Sequence, residues 1–290
     1  MLHNSTDSYP NVAASPRPGG DEQAPATGIS VEPHATASLM GVGFDLLTER
    51  ATIDHLLTSL DAGVGGWLMN PNVDVLRQLV AQPDLGDLAR RADLVIADGM
   101  PVLWALKAQG AEATDRVAGS SLIWTLTASA ALAGRSVFLL GGAPGVADRA
   151  AAALVEANPA LTIAGTSCPP LGFEHDQGER DKIVAVLRDA APDIVFVGLG
   201  FPKQERLIVE LHEALPGTWF IATGASLSMV AGEFVRAPKW MQDTGLEWVY
   251  RLGQEPRRLF RRYVIDDMPF VARLALHVAG QRRRTRKAQA

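Results

Sequence analysis

Residues 193–224 read DIVFVGLGFPKQERLIVELHEALPGTWFIATG. The apolar runs at 193–197 and 218–222 have the length of strands, and the segment 204–215 between them has the composition and spacing of a helix. A strand, a helix and a second strand in this order indicate a right-handed crossover between two parallel strands. This stretch therefore predicts one unit of a doubly wound α/β sheet.

The same alternation occurs in the rest of the chain. Further apolar runs of strand length lie at residues 66–70, 93–98, 136–140 and 161–164, and further helices are predicted at 73–80, 101–107, 117–134, 145–156 and 180–189. This pattern predicts a Rossmann-like, mainly parallel sheet with helices on both faces. The chain has 290 residues, of which 47% are hydrophobic and 20% charged, and this composition excludes a fully disordered, collagen-like or coiled-coil protein.

The two ends of the chain differ from this core. Residues 1–38 are rich in Pro, Ser, Ala, Gly and Asn without apolar periodicity, which predicts a disordered extension. We expect an α/β core at 39–244, a helical appendage at 245–280 and a basic tail at 281–290. Neither a secretory signal nor an apolar stretch of about 20 residues is apparent, so a cytoplasmic location is expected.

The charge of the chain is distributed unevenly. The formal net charge is -5, but residues 251–290 hold eleven Lys and Arg against three acids, which gives +8 there and -13 elsewhere. Apolar residues alternate with these charges, as in amphipathic segments that lie in a membrane interface. We therefore expect an anionic membrane surface as partner and no nucleic acid, because the acidic body lacks a basic stripe with aromatic residues. A solvated basic face is the alternative.

The sequence offers few metal ligands. Cys168 is the only cysteine, and the six histidines form no close pair. The chain also lacks an Asp-x-Asp pair, the arrangement of carboxylates that commonly holds a divalent ion against a diphosphate. No metal and no cofactor are expected.

Polar residues and glycines follow the apolar runs, where the ligand crevice of a doubly wound sheet lies. They are Asn70 and Asn72 after the first run, Asp98 and Gly99 after the second, Gly141, Gly142 and Gly145 after the third, Gly200, Lys203, Gln204 and Glu205 after the fifth, and Gly224 and Ser226 after the last. Glycines and helix starts favour phosphate binding, although each glycine cluster could equally be a tight turn. The absence of a Gly-x-Gly-x-x-Gly fingerprint and of a Walker loop argues against nicotinamide redox chemistry and P-loop hydrolysis.

Asp98 is the more informative of these residues. It follows an apolar run directly, so it would lie at the mouth of the crevice, partly desolvated and able to accept a proton. The alternative is a cap for the following helix. Lys203 and Gln204 stand at a predicted helix start, where they could hold phosphate or sugar hydroxyls or form only a solvated first turn.

Seven segments in order and spacing resemble the WecG/TagA/CpsF family of bacterial glycosyltransferases, and the similarity covers about residues 60–265. The segments are 72–74, 92–99, 116–120, 137–145, 198–205, 231–241 and 245–252. The resemblance implies an inverting, metal-independent enzyme that uses a UDP-sugar, carrying N-acetylmannosamine or a related sugar such as glucuronate. The acceptor would be a polyprenyl-diphosphate-linked saccharide at the inner face of the cytoplasmic membrane, in the synthesis of cell-surface polysaccharide.

The resemblance also assigns residues. Asp98 falls on the proposed general base, and Asn70 and Gln204 complete the candidate catalytic set. Arg236 falls in the sixth segment as a substrate-binding candidate, and the appendage arginines Arg251, Arg258 and Arg261 are implied to clamp the donor diphosphate. Their spacing of seven and three residues would place these three on one helix face.

Two positions depart from the family pattern. Asn70 replaces a common Thr, and Ser228 stands where an Asp is common. They favour the alternative of a non-catalytic nucleotide-sugar-binding or regulatory protein of the same fold. A nucleic-acid-binding protein is a third alternative that rests only on the Arg-rich end, and a homo-oligomer is left open.

Overall fold

Eight strands form two sheets in this computed structural model, which describes residues 34–112 and 116–288. A small antiparallel hairpin joins β1 (Thr36–Leu39) to β2 (Val42–Asp45). The main sheet contains β3 (Gly66–Met69), β4 (Leu94–Val95), β5 (Ser136–Gly141), β6 (Thr162–Ser167), β7 (Ile194–Gly198) and β8 (Trp219–Ala222). These six strands are parallel and lie in the order β4-β3-β8-β7-β5-β6.

Helices connect the strands and continue beyond the last of them. Those of the core are α1 (Glu49–Asp61), α2 (Val73–Ala81), α3 (Pro83–Arg91), α4 (Met100–Ala108), α5 (Gly119–Leu132), α6 (Val146–Ala157), α7 (Gln177–Ala190), α8 (Lys203–Ala214), α9 (Ser226–Val230) and α10 (Lys239–Asp243). The appendage consists of α11 (Glu247–Gln254), α12 (Pro256–Phe260), a π-helix at Arg261–Asp267 and α13 (Met268–Ala288).

The two faces of the sheet are covered by separate apolar cores. Along β8, Phe220 packs into one core and Trp219 and Ile221 into the other, as the alternation of a strand requires. Helices α2, α4, α7, α8 and α13 contribute to the first core, and α1, α5, α6 and α9 to the second. The fold is therefore a doubly wound, three-layer α/β sandwich, which confirms the predicted class.

The order of the strands fixes the position of the ligand crevice. Strands β3 and β8 are neighbours in the centre of the sheet. The helix after β3, α2, packs on one face, whereas the helix after β8, α9, packs on the other. Loops that diverge in this way open a crevice between them at the carboxyl edge of the sheet.

The hairpin of β1 and β2 and the helices α1 and α3 are absent from the sequence prediction. Strand β1 begins at Thr36, so the disorder predicted for residues 36–38 is wrong, while residues 1–33 lie outside the described part. Leu39 and Phe44 of the hairpin are buried. The Asp45 carboxylate accepts a 2.6 Å hydrogen bond from the Val95 amide. These long-range contacts order a segment that is too short to show its own periodicity.

The appendage packs onto the core through an apolar stripe and ion pairs. Phe270, Leu274 and Val278, spaced four residues apart on α13, are buried in the first core. The Arg77 guanidinium of α2 donates to Asp267 at 3.3 Å. Helix α13 continues without a break to Ala288, so the predicted boundary at residue 280 is not a structural one. Within the described ranges, no helix is both long and apolar enough to cross a bilayer.

Candidate active site

A cavity of about 1020 Å³ lies at the carboxyl edge of the sheet, between the core and the appendage. Its walls are the loops after β3, β4, β7 and β8, helix α4, and the appendage. The predicted site residues that line it are Asn70, Asn72, Asp98, Gly99, Gly200, Gln204, Glu205, Gly224, Ser226, Arg251 and Arg258. The crevice predicted from the strand ends therefore coincides with this cavity.

The loop after β5 does not take part in this cavity. Gly141, Gly142 and Gly145 are absent from its lining. A Cβ on Gly141 would stand 2.5 Å from the Gly198 carbonyl oxygen, and one on Gly142 would stand 2.7 Å from the Val146 side chain. These two glycines permit close packing of a tight turn, which was the alternative interpretation of this cluster.

Lys203, Arg236 and Arg261 also lie outside the cavity lining. The ammonium of Lys203 faces the Phe173 ring, at 5.9 Å from its centroid, and Glu174. The cation predicted at the start of α8 therefore points away from the site.

The predicted single helix face of arginines is wrong. Arg251 belongs to α11 and Arg258 to α12, and a new helix begins at Pro256 between them. The π-helix that follows changes the residue spacing, so Arg261 is exposed and its neighbour Arg262 lines the cavity instead.

Asp98 follows β4 and lies at the floor of the cavity, partly exposed. Its amide donates to the Pro71 carbonyl at 3.1 Å, which ties it to the loop after β3. The capping alternative is wrong, because Gly99, with φ +86°, occupies the N-cap of α4. Burial raises the pKa of Asp98 to about 6, against the opposing effect of the nearby Arg116 guanidinium. Asp98 is therefore a stronger base than an ordinary aspartate carboxylate.

An ionic cluster surrounds Asp98. Glu247 of α11 accepts a 3.1 Å hydrogen bond from Arg116 and lies 3.6 Å from the Nε of Arg236. Arg236 also donates to the Ser121 hydroxyl at 3.0 Å. One carboxylate of the appendage thus holds two core arginines beside Asp98. Sequence reasoning did not assign roles to Arg116 or Glu247, although both lie within segments that resemble the family.

The two asparagines after β3 have different surroundings. Asn72 caps α2, since its Oδ1 accepts the Val75 amide at 3.1 Å. Asn70 faces the start of α5, where a Cβ on Gly119 would stand 2.7 Å from the Asn70 Nδ2 and 3.4 Å from the Ser226 Oγ. The missing side chain at Gly119 therefore leaves room for Asn70 beside Ser226.

The loop after β7 is shaped by Gln204. Its Oε1 accepts the Gly200 amide at 2.9 Å and the Leu199 amide at 3.3 Å, and its Nε2 donates to Glu205 Oε1 at 2.8 Å. Gln204 is 4% exposed and both ends of its amide are engaged. In this structure Gln204 positions the loop and Glu205, so its predicted catalytic role would be indirect.

Three arginines form the appendage wall of the cavity, namely Arg251, Arg258 and Arg262. Arg251 stacks on Phe234 at 5.6 Å, and Arg258 donates to Glu255 at 2.8 Å. Arg262 lies 5.0 Å from the Tyr263 ring, and its Nε lies 3.6 Å from Asp74 and 4.0 Å from Asp267. Guanidinium groups in this number suit a phosphate-bearing ligand, to which they can donate in pairs.

No group of three or more His, Cys, Asp or Glu side chains in the described residues has the arrangement of a metal site. Metal independence stays a prediction.

Doubly wound sheets that present such a wall at their crevice are typical of enzymes that act on phosphate-bearing ligands, and this is the class that fold and cavity define. Within that class, residues 37–287 match the model of the Glycosyl transferase WecG/TagA/CpsF family, and the chain belongs to this family. A relative from Bacillus spizizenii (strain ATCC 23059 / NRRL B-14472 / W23) is 31% identical over 208 residues, which cover 71% of this chain and 78% of the relative. That relative is named N-acetylglucosaminyldiphosphoundecaprenol N-acetyl-beta-D-mannosaminyltransferase.

Membership confirms the resemblance seen in the sequence and makes the chain a glycosyltransferase. The alternative of a non-catalytic binding or regulatory protein loses its support. The roles of individual residues stay predictions.

Proposed function

We propose that the protein transfers a sugar from a UDP-sugar to a saccharide linked to polyprenyl diphosphate, with inversion and without a metal ion. The sugar is N-acetylmannosamine or a related one such as glucuronate. The observation that carries this proposal is the arrangement of Asp98 and the arginine wall around one cavity. The name of the Bacillus relative, which describes a mannosaminyl transfer to a lipid-linked acceptor, supports the choice of substrates.

Asp98 acts as the general base in this proposal. Its carboxylate takes the proton of the acceptor hydroxyl while the hydroxyl oxygen attacks the anomeric carbon. The bond between that carbon and the diphosphate oxygen breaks, and its electron pair leaves with UDP. With a pKa of about 6, Asp98 is mostly ionised at pH 7 and is still basic enough to accept the proton. Positioned bases of this kind contribute about 10²- to 10⁴-fold to the rate.

The appendage arginines stabilise the leaving group. The diphosphate gains negative charge as the glycosidic bond breaks, and Arg251, Arg258 and Arg262 face the place where it would lie. Fixed cations in a partly desolvated cavity stabilise such charge more strongly than they would in water. In this proposal Arg262 takes the position in the clamp that the sequence suggested for Arg261.

A lipid-linked acceptor places the protein at the cytoplasmic face of the membrane. The appendage exposes the apolar side chains of Phe260, Ile265 and Leu276, which are 54%, 58% and 75% accessible, beside the exposed Arg257 and Arg273. Apolar and basic side chains in this mixture suit an anionic bilayer surface. The proposed association is peripheral.

A panel of donors tests the function. Purified protein is incubated with UDP-N-acetylmannosamine, UDP-glucuronate, UDP-glucose, UDP-N-acetylglucosamine and GDP-mannose, each with a short-chain prenyl-diphosphate-sugar acceptor and a chelator. We expect transfer from one UDP-sugar, with an inverted anomeric configuration. Transfer that requires added metal would contradict metal independence, and failure to bind any nucleotide sugar would overturn the proposal as a whole.

A further inference from the structure

Glu205 is a buried carboxyl group that the proposed chemistry does not use. It lines the cavity at the start of α8 but is only 2% exposed. Its Oε1 accepts the Gln204 amide at 2.8 Å, whereas its Oε2 has no hydrogen-bond partner among the described residues. A buried oxygen without a partner is destabilising, so such an atom at a cavity wall indicates a place for a ligand group.

No cationic side chain of the described residues pairs with Glu205 to balance its charge. The two cations nearest in sequence have other partners: Lys203 faces Phe173 and Glu174, and Arg206 donates to Asp84 at 3.1 Å. Burial away from water raises the pKa of Glu205 to about 7. A carboxyl group in these surroundings is a poor neighbour for a phosphate, which the arginine wall binds far better.

The strand order separates Glu205 from Asp98. Asp98 follows β4 and Glu205 follows β7, and three strand spacings lie between β4 and β7 in the sheet. At about 4.8 Å for each spacing, the two loops are roughly 14 Å apart. A ligand group bound at Glu205 would therefore lie far from an acceptor hydroxyl at Asp98.

We propose that the Glu205 carboxyl group is a subsite for a hydroxyl group of the donor, carried by its ribose or by its sugar. A hydroxyl satisfies Oε2 in either state of the carboxyl, because it donates to the ionised form and accepts from the neutral form. A phosphate group would be repelled by the ionised carboxyl group. It could only accept a hydrogen bond from the protonated form. This inference rests on the proposed function, since it takes a nucleotide sugar as the ligand.

Calorimetric titration of the full chain tests the subsite. UDP, 2′,3′-dideoxy-UDP and the UDP-sugar used in transfer are titrated into the wild type and Glu205→Leu. Glu205→Met is a second apolar variant, in case leucine perturbs folding, and Glu205→Gln retains hydrogen bonding. Glu210→Leu is the matched control, because Glu210 lies on the same helix and outside the cavity lining.

We expect Glu205→Leu to weaken binding of the hydroxyl-bearing ligand on the order of 10- to 100-fold, with Glu205→Gln and Glu210→Leu close to wild type. An equal loss for UDP and UDP-sugar that disappears with dideoxy-UDP assigns the ribose. A loss confined to the UDP-sugar assigns the sugar. Unchanged affinity of the folded Leu and Met variants for both ligands overturns the subsite. A wild type that neither binds nor transfers any nucleotide sugar instead overturns the proposed function.

Discussion

The two walls of the cavity differ in the charge they carry. The sheet edge presents the carboxyl groups of Asp98 and Glu205, both with a pKa raised by burial, whereas the appendage presents Arg251, Arg258 and Arg262. In the proposed mechanism the core supplies the base and the appendage supplies three cations for the leaving group, although core Arg116 and appendage Glu247 also line the cavity. The difference teaches that neither wall contains a complete site, and substitutions on each should fail in different ways.

Loss of the base should have the largest effect. Asp98→Asn removes proton acceptance while preserving size, so kcat should fall about 10²- to 10⁴-fold with donor binding within a few-fold of wild type. Single-turnover transfer and titration with UDP measure the two quantities. Asp87→Asn, in an exposed pair on α3, is the control. Equal rates in Asp98→Asn and the wild type would refute the assignment of the base.

The second-largest effect on activity is expected at the appendage wall, where two neighbouring arginines should respond differently to substitution. Arg262→Met should lower kcat/KM by about 10²-fold, because one cation opposite the leaving diphosphate is lost. Arg261→Met should retain nearly full activity, since Arg261 is exposed and outside the cavity lining. Steady-state kinetics on both variants distinguishes them, and the reverse order of effects would restore Arg261 to the clamp.

The contact between the walls should weaken when its ion pairs are removed. Arg77 bridges Asp74 at 2.6 Å and Asp267 at 3.3 Å, all three partly or fully buried. Arg77→Met should therefore destabilise docking by about 1–2 kcal/mol. The buried Phe270, Leu274 and Val278 contribute about 1.5–3 kcal/mol each, so the appendage should remain attached.

Amide exchange in α13 measures this opening. It should accelerate in Arg77→Met and stay unchanged in Arg50→Met, whose partner Asp54 is exposed. Unaltered exchange in both variants would show that the ion pairs around Asp267 do not contribute to docking.

Membrane affinity should respond more weakly. Each basic residue near an anionic surface contributes about 1 kcal/mol, so Arg273→Gln should weaken binding to anionic vesicles roughly fivefold. Arg188→Gln, exposed on α7, should have no effect. Flotation with anionic and with neutral liposomes reports the difference, and equal binding of the wild type to both would remove the electrostatic contribution.

The smallest expected effect is a shift in pH dependence. Activity should decline as pH falls through about 6, because the proposed base must be ionised. The negative charge of Glu247 raises the pKa of Asp98, so Glu247→Gln should move this inflection to lower pH. The rates of the variant and the wild type should differ by less than about tenfold at any pH. Glu205→Gln should leave the inflection in place. A profile of kcat/KM that moves to higher pH in Glu247→Gln would contradict the electrostatic assignment.

The parts of the molecule that the sequence reveals are those set by local pattern. Strands β3 to β8 appear as apolar runs in the sequence, and Asp98 and Gln204 are recognised there because they follow such runs. The hairpin is not found this way, because its order depends on the pairing of Asp45 with β4 across 50 residues. The exchange of Arg261 for Arg262 has a similar origin, since a π-helix changes the spacing that α-helical periodicity assumes.

Glu247 shows a third limit. Glu247 forms ion pairs with Arg116 and Arg236, which are 131 and 11 positions away in the chain. A sequence pattern indicates that a residue belongs to a motif, but only the fold shows which cations a carboxylate holds. Such bridging residues are found by contact rather than by composition.

The pairing of β3 with β8 has a consequence for how the enzyme is made. Gly66 pairs with Trp219, so 153 further residues must be synthesised before β3 can pair with β8. At synthesis rates of about 5–20 residues per second, this interval is roughly 8–30 s. The arginine wall follows β8 in the chain and is added later still. A nascent chain thus passes through a period in which Asp98 is present without the arginine wall, and the cavity is complete only after the appendage has been synthesised.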